Sequence, residues 1–264
     1  MSQVTGDRIK ALADLLQHAE ATRTGVAPLT ASEPSLSVED AYQIQLHNID
    51  RKTAAGQVIT GKKIGLTSLA MQKLLGVDQP DYGHLLDSMA VENGGDVSMT
   101  RVMQPRVEAE IAFVLKRDLV GPNVIALDVL LATDYITPSF EIVDSRIQDW
   151  KITLADTVAD NASSGLYLLS EKRFAVDAVD LETLGMAFYK NGQLVNTGVG
   201  AAALGHPAHC VAWLANKLFA FGVTLKAGEV ILSGALSAAA NAAPGDHFSA
   251  RFAHLGEVSV RFVE

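Results

Sequence analysis

Apolar residues at helical spacing open the chain. Between Asp7 and Thr24, Ile9, Leu12, Leu15, Leu16 and Ala19 fall on one face, and Gly25 supplies a stop. A second helix is predicted from the N-cap Ser37-Val-Glu-Asp40, with Ala41, Ile44 and Ile49 turned inward and an end near Gly56. Gly25 to Pro34 between them reads as a loop. After Gly56 the pattern turns extended: Val58-Ile-Thr60 and Lys63-Ile-Gly-Leu66 are strand-like, and Ser68 caps a short helix that runs through Leu75 and ends at Gly76. The change of period sets a boundary at residue 57, between an N-terminal helical region, 1–57, and a β-rich region, 58–264.

Asp78-Gln-Pro-Asp-Tyr-Gly83 is turn chemistry throughout, so its acids are expected on a loop. Alternation resumes from Val107 to Leu115, a helix is predicted over Ala126 to Ala132, and a further extended run covers Tyr135 to Val143. Pro138 marks that run as an edge strand or a bulge. Asn191-Gly192 predicts a type I′ hairpin turn. Helical period returns from Pro207 to Phe221 through Val211, Leu214 and Leu218. Glu229 to Val263 is rich in strands, turning at Pro244-Gly-Asp246 and His254-Leu-Gly-Glu257. With no repeat, low-complexity tract or long linker, the pattern predicts an α+β fold with a β-rich core and helices at the N-terminal end.

Composition narrows the function classes. A chain of 264 residues with 48% hydrophobic content can bury one large core. Lys and Arg number 21 against 30 Asp and Glu, a net charge of −9, which argues against nucleic acid or an anionic membrane as a partner. An anionic ligand must then be held by local positive charge. Asp7, Arg8 and Lys10 stand where a signal peptide needs an apolar core, and no run of about 18 apolar residues occurs, so a soluble cytoplasmic protein is expected. The single cysteine, Cys210, excludes an internal disulfide framework and a thiolate zinc cluster; its apolar helical setting reads as core.

The strand-like run Arg106 to Leu115 carries the first chemistry. Residues two apart on a strand share a face about 6.6 Å apart. Glu108 and Glu110 therefore project together, with Val107, Ala109, Ile111 and Phe113 on the other side. Such a pair is either a solvated strand face or half of a cation site. Glu141, set between Phe140 and Ile142, favours the second, because a buried carboxylate needs a partner. Three carboxylates with no nearby Cys or His suit a hard ion in oxygen coordination, Mg²⁺ or Mn²⁺.

Six motifs taken together identify a family. Gly61-Lys-Lys-Ile-Gly-Leu-Thr-Ser68, Gly76-Val-Asp-Gln-Pro-Asp-Tyr-Gly83, Gln104-Pro-Arg-Val-Glu-Ala-Glu110, Phe140-Glu-Ile-Val-Asp-Ser-Arg146, Asp160-Asn-Ala-Ser-Ser164 and Leu204-Gly-His-Pro207 resemble the 2-oxopent-4-enoate (2-hydroxypenta-2,4-dienoate) hydratases. These belong with 4-oxalocrotonate decarboxylases in the fumarylacetoacetate hydrolase-like superfamily. The resemblance runs over nearly the whole chain in order. It implies the superfamily's β-rich core of mixed sheets with an N-terminal helical region, and Glu108, Glu110 and Glu141 as metal ligands. Lys63 and Asp81 take the family's catalytic positions, with Lys62 the alternative to Lys63 if the register shifts by one. Ser163 and Ser164 become substrate-binding residues near the carboxylate, although turn or helix caps would use the same chemistry.

The implied reaction is hydration of 2-hydroxypenta-2,4-dienoate, a small anionic substrate, to 4-hydroxy-2-oxopentanoate in meta-cleavage degradation of aromatic compounds. Sister decarboxylase activity is the alternative; the run Asp149 to Val158 looks closer to the hydratases. A hydratase of the longer heptenedioate is disfavoured by the absence of an insertion after the Asp-Ser-Arg motif. Homo-oligomers and an association with 4-oxalocrotonate decarboxylase are implied as well. A non-catalytic assembly partner is the alternative from another class, against which the intact acids and Lys63 argue. Gly198-Val-Gly-Ala-Ala-Ala203 imitates a dinucleotide fingerprint, but Phe219, Ala220 and Phe221 stand where a ribose-binding acid is needed. His84 and His206 lie in motif loops and read as structural.

Overall fold

In the computed structural model, which describes residues 4–264, helix α1 (Gly6–Thr22) begins where the Thr5 hydroxyl accepts from the Arg8 amide. Leu12, Leu16 and Ala19 are buried as their spacing predicts, but Leu15, off their row, is 39% exposed. Arg23 ends α1 in the left-handed conformation (φ 53°), so the stop precedes Gly25. The expected loop contains one helical turn, α2 (Leu29–Ser32), which buries Leu29. Helix α3 (Val38–Ala54) is capped by Ser37, whose Oγ accepts from the Asp40 amide at 3.0 Å. Glu39 and Asp40 in its first turn and Arg51 and Lys52 in its last match the helix dipole at both ends. The buried faces of α1 and α3 merge with the main apolar core.

Strands β1 (Ile59–Gly65) and β2 (Asp81–Leu86) flank helix α4 (Leu69–Leu75), and β3 (Ala90–Val91) and β4 (Asp96–Ser98) are short. The long strands β5 (Arg106–Leu115) and β6 (Thr133–Val143) flank α5 (Ala126–Ala132). Helix α6 (Leu154–Ala159) precedes β7 (Ser164–Leu169); the hairpin β8 (Gly185–Lys190) and β9 (Gln193–Val199) precedes α7 (Pro207–Phe219). Last come β10 (Val230–Leu232), β11 (Ala240–Asn241), β12 (His247–Phe252) and β13 (Gly256–Val263). Among the described residues they form two sheets: β2-β1-β10-β5-β6-β7-β3, with β11 beside β5, and β4-β13-β12-β8-β9. Asn191 (φ 53°) and Gly192 (φ 78°) make the β8–β9 turn with the two positive φ angles of type I′.

Two expectations fail for identifiable reasons. Asp81 is not on a loop: it starts β2 and pairs with Gly65, so only the front half of the Asp78–Gly83 stretch turns. Pro138 is not on an edge or in a bulge, because β6 lies between β5 and β7 with Pro138 opposite Ile111. The Ile111 carbonyl accepts from the Ser233 amide on the far side of β5, so Ile111–Pro138 is a non-hydrogen-bonded pair. The missing N–H of Pro138 therefore removes no bond between β5 and β6, and its carbonyl accepts from Ser170.

The β5–β6 pair has two unlike faces. Phe140 meets Phe188 of the second sheet at 5.6 Å between ring centres, and with Val107, Ala109, Ile111, Phe113 and Ile142 it belongs to the main core. The opposite face carries the acids. No helix among the described residues is long and apolar enough to cross a membrane.

Candidate metal centre and active site

Strand parity and register assemble the acid cluster. Glu108 and Glu110 share a face of β5, and the ladder sets Glu108 directly opposite Glu141 of β6. Glu108, Glu110 and Glu141 each present a carboxylate oxygen within 4.8 Å of the others. Glu110 and Glu141 are 0% exposed and Glu108 is partly buried, so the solvated-face reading does not hold. Glu110 Oε2 accepts from the Gly234 amide at 2.8 Å, and Glu141 Oε1 accepts from Ser164 Oγ at 2.8 Å. Glu110 Oε1 and Glu141 Oε2 are buried with no hydrogen-bond partner.

Burial, then the charges of Glu141 and Glu108, push the Glu110 carboxyl well above the usual range; the Gly234 amide only offsets this. Burial and Glu141 raise Glu108 to about 7, against the pull of Lys63 and Arg106. A buried acid cluster with orphaned oxygens and no nitrogen or sulfur donor fits a hard divalent cation, which binds deprotonated oxygen ligands.

That fit carries a pH dependence. Ion binding must displace the protons these carboxyls hold, so divalent affinity is expected to fall below pH 7, by about tenfold per pH unit for each proton displaced. Calorimetry in buffers of different ionisation enthalpy will read the proton release. In the metal-free protein the native state keeps protons that the unfolded chain has lost above about pH 4.5. The stability these groups contribute is thus present below pH 4.5 and lost as pH rises through about 7; denaturant melts at several pH values check the sign.

Lys63 and Asp81 stand beside the acids. Lys63 Nζ, on β1 and 2% exposed, lies 3.4 Å from Glu141 Oε1 and 3.6 Å from Asp81 Oδ1. Burial works against its charge, but Asp81, Glu141, Glu108 and Glu110 outweigh burial and hold its pKa above the ordinary lysine range. Lys62 points to the opposite face, where Nζ donates to Glu229 at 2.6 and 2.7 Å. Of the two adjacent lysines, Lys63 alone faces the cluster. The backbone makes room for it at Gly65, where a Cβ would lie 2.4 Å from Asp81 Oδ1 and 2.9 Å from Lys63 Nζ.

Asp81 Oδ2 accepts from Thr157 Oγ1 at 2.9 Å, while Asp81 Oδ1 is buried with no hydrogen-bond partner. Sequence reasoning missed Thr157. Its partner lies 76 residues away, and one threonine in a short helix carries no local signal. Gly234, whose amide fixes Glu110, was missed for the same reason. Ser163 and Ser164 reach the site through a turn in which Asn161, Ala162 and Ser163 all have positive φ (51–53°). Arg146 holds this turn: its Nε donates to Asp160 Oδ1 at 2.5 Å and its Nη1 to the Ser164 carbonyl at 2.9 Å. The Ser163 hydroxyl lies 3.5 Å from that of Thr157.

The other titratable candidates are structural. His84 is buried, shares a hydrogen bond with Gln45, and is pushed by burial and Lys62 down to about 3, which leaves it neutral. His206 caps α7 by accepting from the Ala208 amide. Cys210 is buried in the core, and burial raises its thiol. Cavities of about 270 and 740 Å³ are lined by none of Lys63, Asp81, Glu108, Glu110 or Glu141, although Ser164 borders the smaller.

Residues 68–263 match the fumarylacetoacetate (FAA) hydrolase C-terminal family model. The chain is 54% identical over 216 residues to a 2-hydroxypent-2,4-dienoate hydratase of Pseudomonas putida, covering 81% of this chain and 97% of that one. It is 51% identical over 241 residues to a 2-hydroxyhexa-2,4-dienoate hydratase of Comamonas testosteroni, covering 90% and 91%. The structure of 4-oxalocrotonate decarboxylase from Pseudomonas putida G7, complexed with magnesium and adipate, superposes with a TM-score of 0.97 at 40% identity over 100% of both chains.

Proposed function

The chain belongs to the fumarylacetoacetate hydrolase family, and from that membership we propose that it is a divalent-metal-dependent hydratase. Its reaction adds water to 2-hydroxypenta-2,4-dienoate to give 4-hydroxy-2-oxopentanoate, in meta-cleavage degradation of aromatic compounds. The observation that carries this reading over decarboxylation is the identity of 51 and 54% to hydratases against 40–42% to 4-oxalocrotonate decarboxylases.

Glu108, Glu110 and Glu141 would hold Mg²⁺ or Mn²⁺. Bound there, the ion supplies Lewis-acid charge that stabilises negative charge on the substrate's C2 oxygen. The remaining work falls to the chain's own groups. Lys63 keeps a fixed positive charge between Asp81 and Glu141 and presents it to the same anionic end of the substrate. Thr157 holds Asp81 by Oδ2, which leaves Oδ1 to carry the proton delivered to C5. Protonation there, with loss of the enol O–H proton, turns the dienol into a conjugated 2-oxo-3-enoate. Water adds its oxygen to C4, the proton it releases restores Asp81, and C3 takes up the proton given up by the enol hydroxyl. Ser164 Oγ donates to Glu141 Oε1, and with Ser163 it would stand beside the substrate carboxylate. Self-association is supported by the edge strand β9, which exposes Leu194, Val195 and Val199.

The test is turnover of each substrate with CO₂ and product mass followed together. Dienoate is expected to gain one water without CO₂ release. Chelation should stop the reaction, and re-added Mg²⁺ or Mn²⁺ should restore it. Faster CO₂ release from 4-oxalocrotonate would replace hydration by decarboxylation, and no turnover at saturating metal would favour an assembly role.

A further inference from the structure

Among the described residues, Arg106 is the cation beside this site with no carboxylate at salt-bridge distance. It lies on the same face of β5 as Glu108 and Glu110, because no bulge interrupts the ladder from Arg106–Val143 to Glu110–Ser139. Glu110 is buried on that face while Glu108 and Arg106 are half-buried, so the face is more accessible at its arginine end than at Glu110. The guanidinium stacks on Trp150, with its carbon 4.2 Å from the ring centre, and its buried Nε has no hydrogen-bond partner. The indole is itself fixed, since Trp150 Nε1 donates to the Gln104 carbonyl at 3.1 Å.

The neighbouring donors are already shared. The one hydroxyl proton of Ser164 goes to Glu141, that of Thr157 goes to Asp81 with Ser163 Oγ 3.5 Å from Thr157 Oγ1, and Lys63 divides its charge between two carboxylates and the substrate. Charge sets the same requirement. With Asp81 carrying the proton it delivers, three ionised glutamates, one lysine and one divalent ion leave the site neutral, and a substrate carboxylate entering it brings one negative charge for a further cation to balance. A planar guanidinium held flat on an aromatic ring is preorganised for two-point contact with a carboxylate.

We propose that Arg106, braced by Trp150, binds the carboxylate of the incoming 2-oxo or 2-hydroxydienoate acid at the open end of the acid cluster. This rests on the metal-dependent reading given above, but its test does not require turnover. The probes are pyruvate and pyruvamide, the same 2-oxo unit with and without the charge, titrated into Mg²⁺-loaded protein by calorimetry.

Arg106→Gln is expected to weaken pyruvate binding about ten- to a hundredfold and to leave pyruvamide within about twofold. Arg106→Lys, which keeps the charge but not the fork, should fall between, and Trp150→Leu should give a smaller loss confined to pyruvate. Mn²⁺ affinity, read by electron paramagnetic resonance, should stay within about threefold of the parent in all three. Equal losses for acid and amide, or none, would overturn the assignment. If Arg106 governs pyruvate binding in a protein that hydrates no dienoate, the assignment stands and the proposed reaction falls. Hydration with pyruvate binding indifferent to Arg106 gives the reverse.

Discussion

Alanine in place of Glu110 is expected to remove divalent-ion binding and turnover together. Glu110 Oε1 is a buried oxygen with no hydrogen-bond partner, and the Gly234 amide fixes the other oxygen of the same carboxylate. The side chain is therefore aimed rather than mobile. Loss of an outer partner of a metal ligand weakens affinity about 10–100-fold. Loss of the ligand itself exceeds that, so Mg²⁺ titration should show an affinity at least about 100-fold weaker, with kcat/KM falling at least as far.

Stability should move the other way. Burial, Glu141 and Glu108 hold the Glu110 carboxyl far above its usual range, which marks its charged form as unfavourable in the metal-free fold. Metal-free Glu110→Gln should melt above the metal-free parent, and in saturating metal the order should reverse. A variant with parental ion affinity would remove Glu110 from the ligand set.

Lys63→Met is expected to harm both activity and stability. It leaves Asp81 Oδ1 and Glu141 buried without their cation, at about 3–5 kcal/mol, read by urea denaturation. Loss of a fixed charge aimed at the substrate's anionic end should lower kcat by about 10²–10³-fold. Ion affinity should not weaken, because a competing positive charge has gone, and this separates Lys63 from the ligands. Lys62→Met is the control: it breaks the pair with Glu229 on the other face and should lower stability while kcat stays within a fewfold. Similar kcat losses in both variants would place the effect in β1 as a whole.

What the chain reveals before folding follows the range of each interaction. Alternation along Arg106 to Leu115 is a local property with period two, and it fixed the shared face of Glu108 and Glu110 without the structure. Glu141 was legible through its apolar neighbours. Asp81 was misplaced because Pro, Asp and Gly write the same turn signal whether or not a strand begins among them. Pro138 was misjudged because its missing N–H matters only on one side of β6, and the side is set by a strand more than 20 residues away. The Asp81–Thr157 and Glu110–Gly234 contacts join residues 76 and 124 apart, beyond any pattern along the chain. The choice between Lys62 and Lys63 depended on recognising the motif.

Those two lysines carry a consequence for folding fidelity. Each has a buried carboxylate partner, Glu229 for one and the site acids for the other, so a slip of β1 by one residue would still give Lys62 an ion pair where Lys63 belongs. The slip fails on the neighbours: Gly61 would leave Glu229 without its lysine, Lys63 would enter the fully buried place of Ile64, and Ile64 would take the place of Gly65, where a Cβ would stand 2.4 Å from Asp81 Oδ1. Lys62-Lys63 is in this sense an ambiguous word, and the residues on either side of it, Gly61, Ile64 and Gly65, make it readable in one frame.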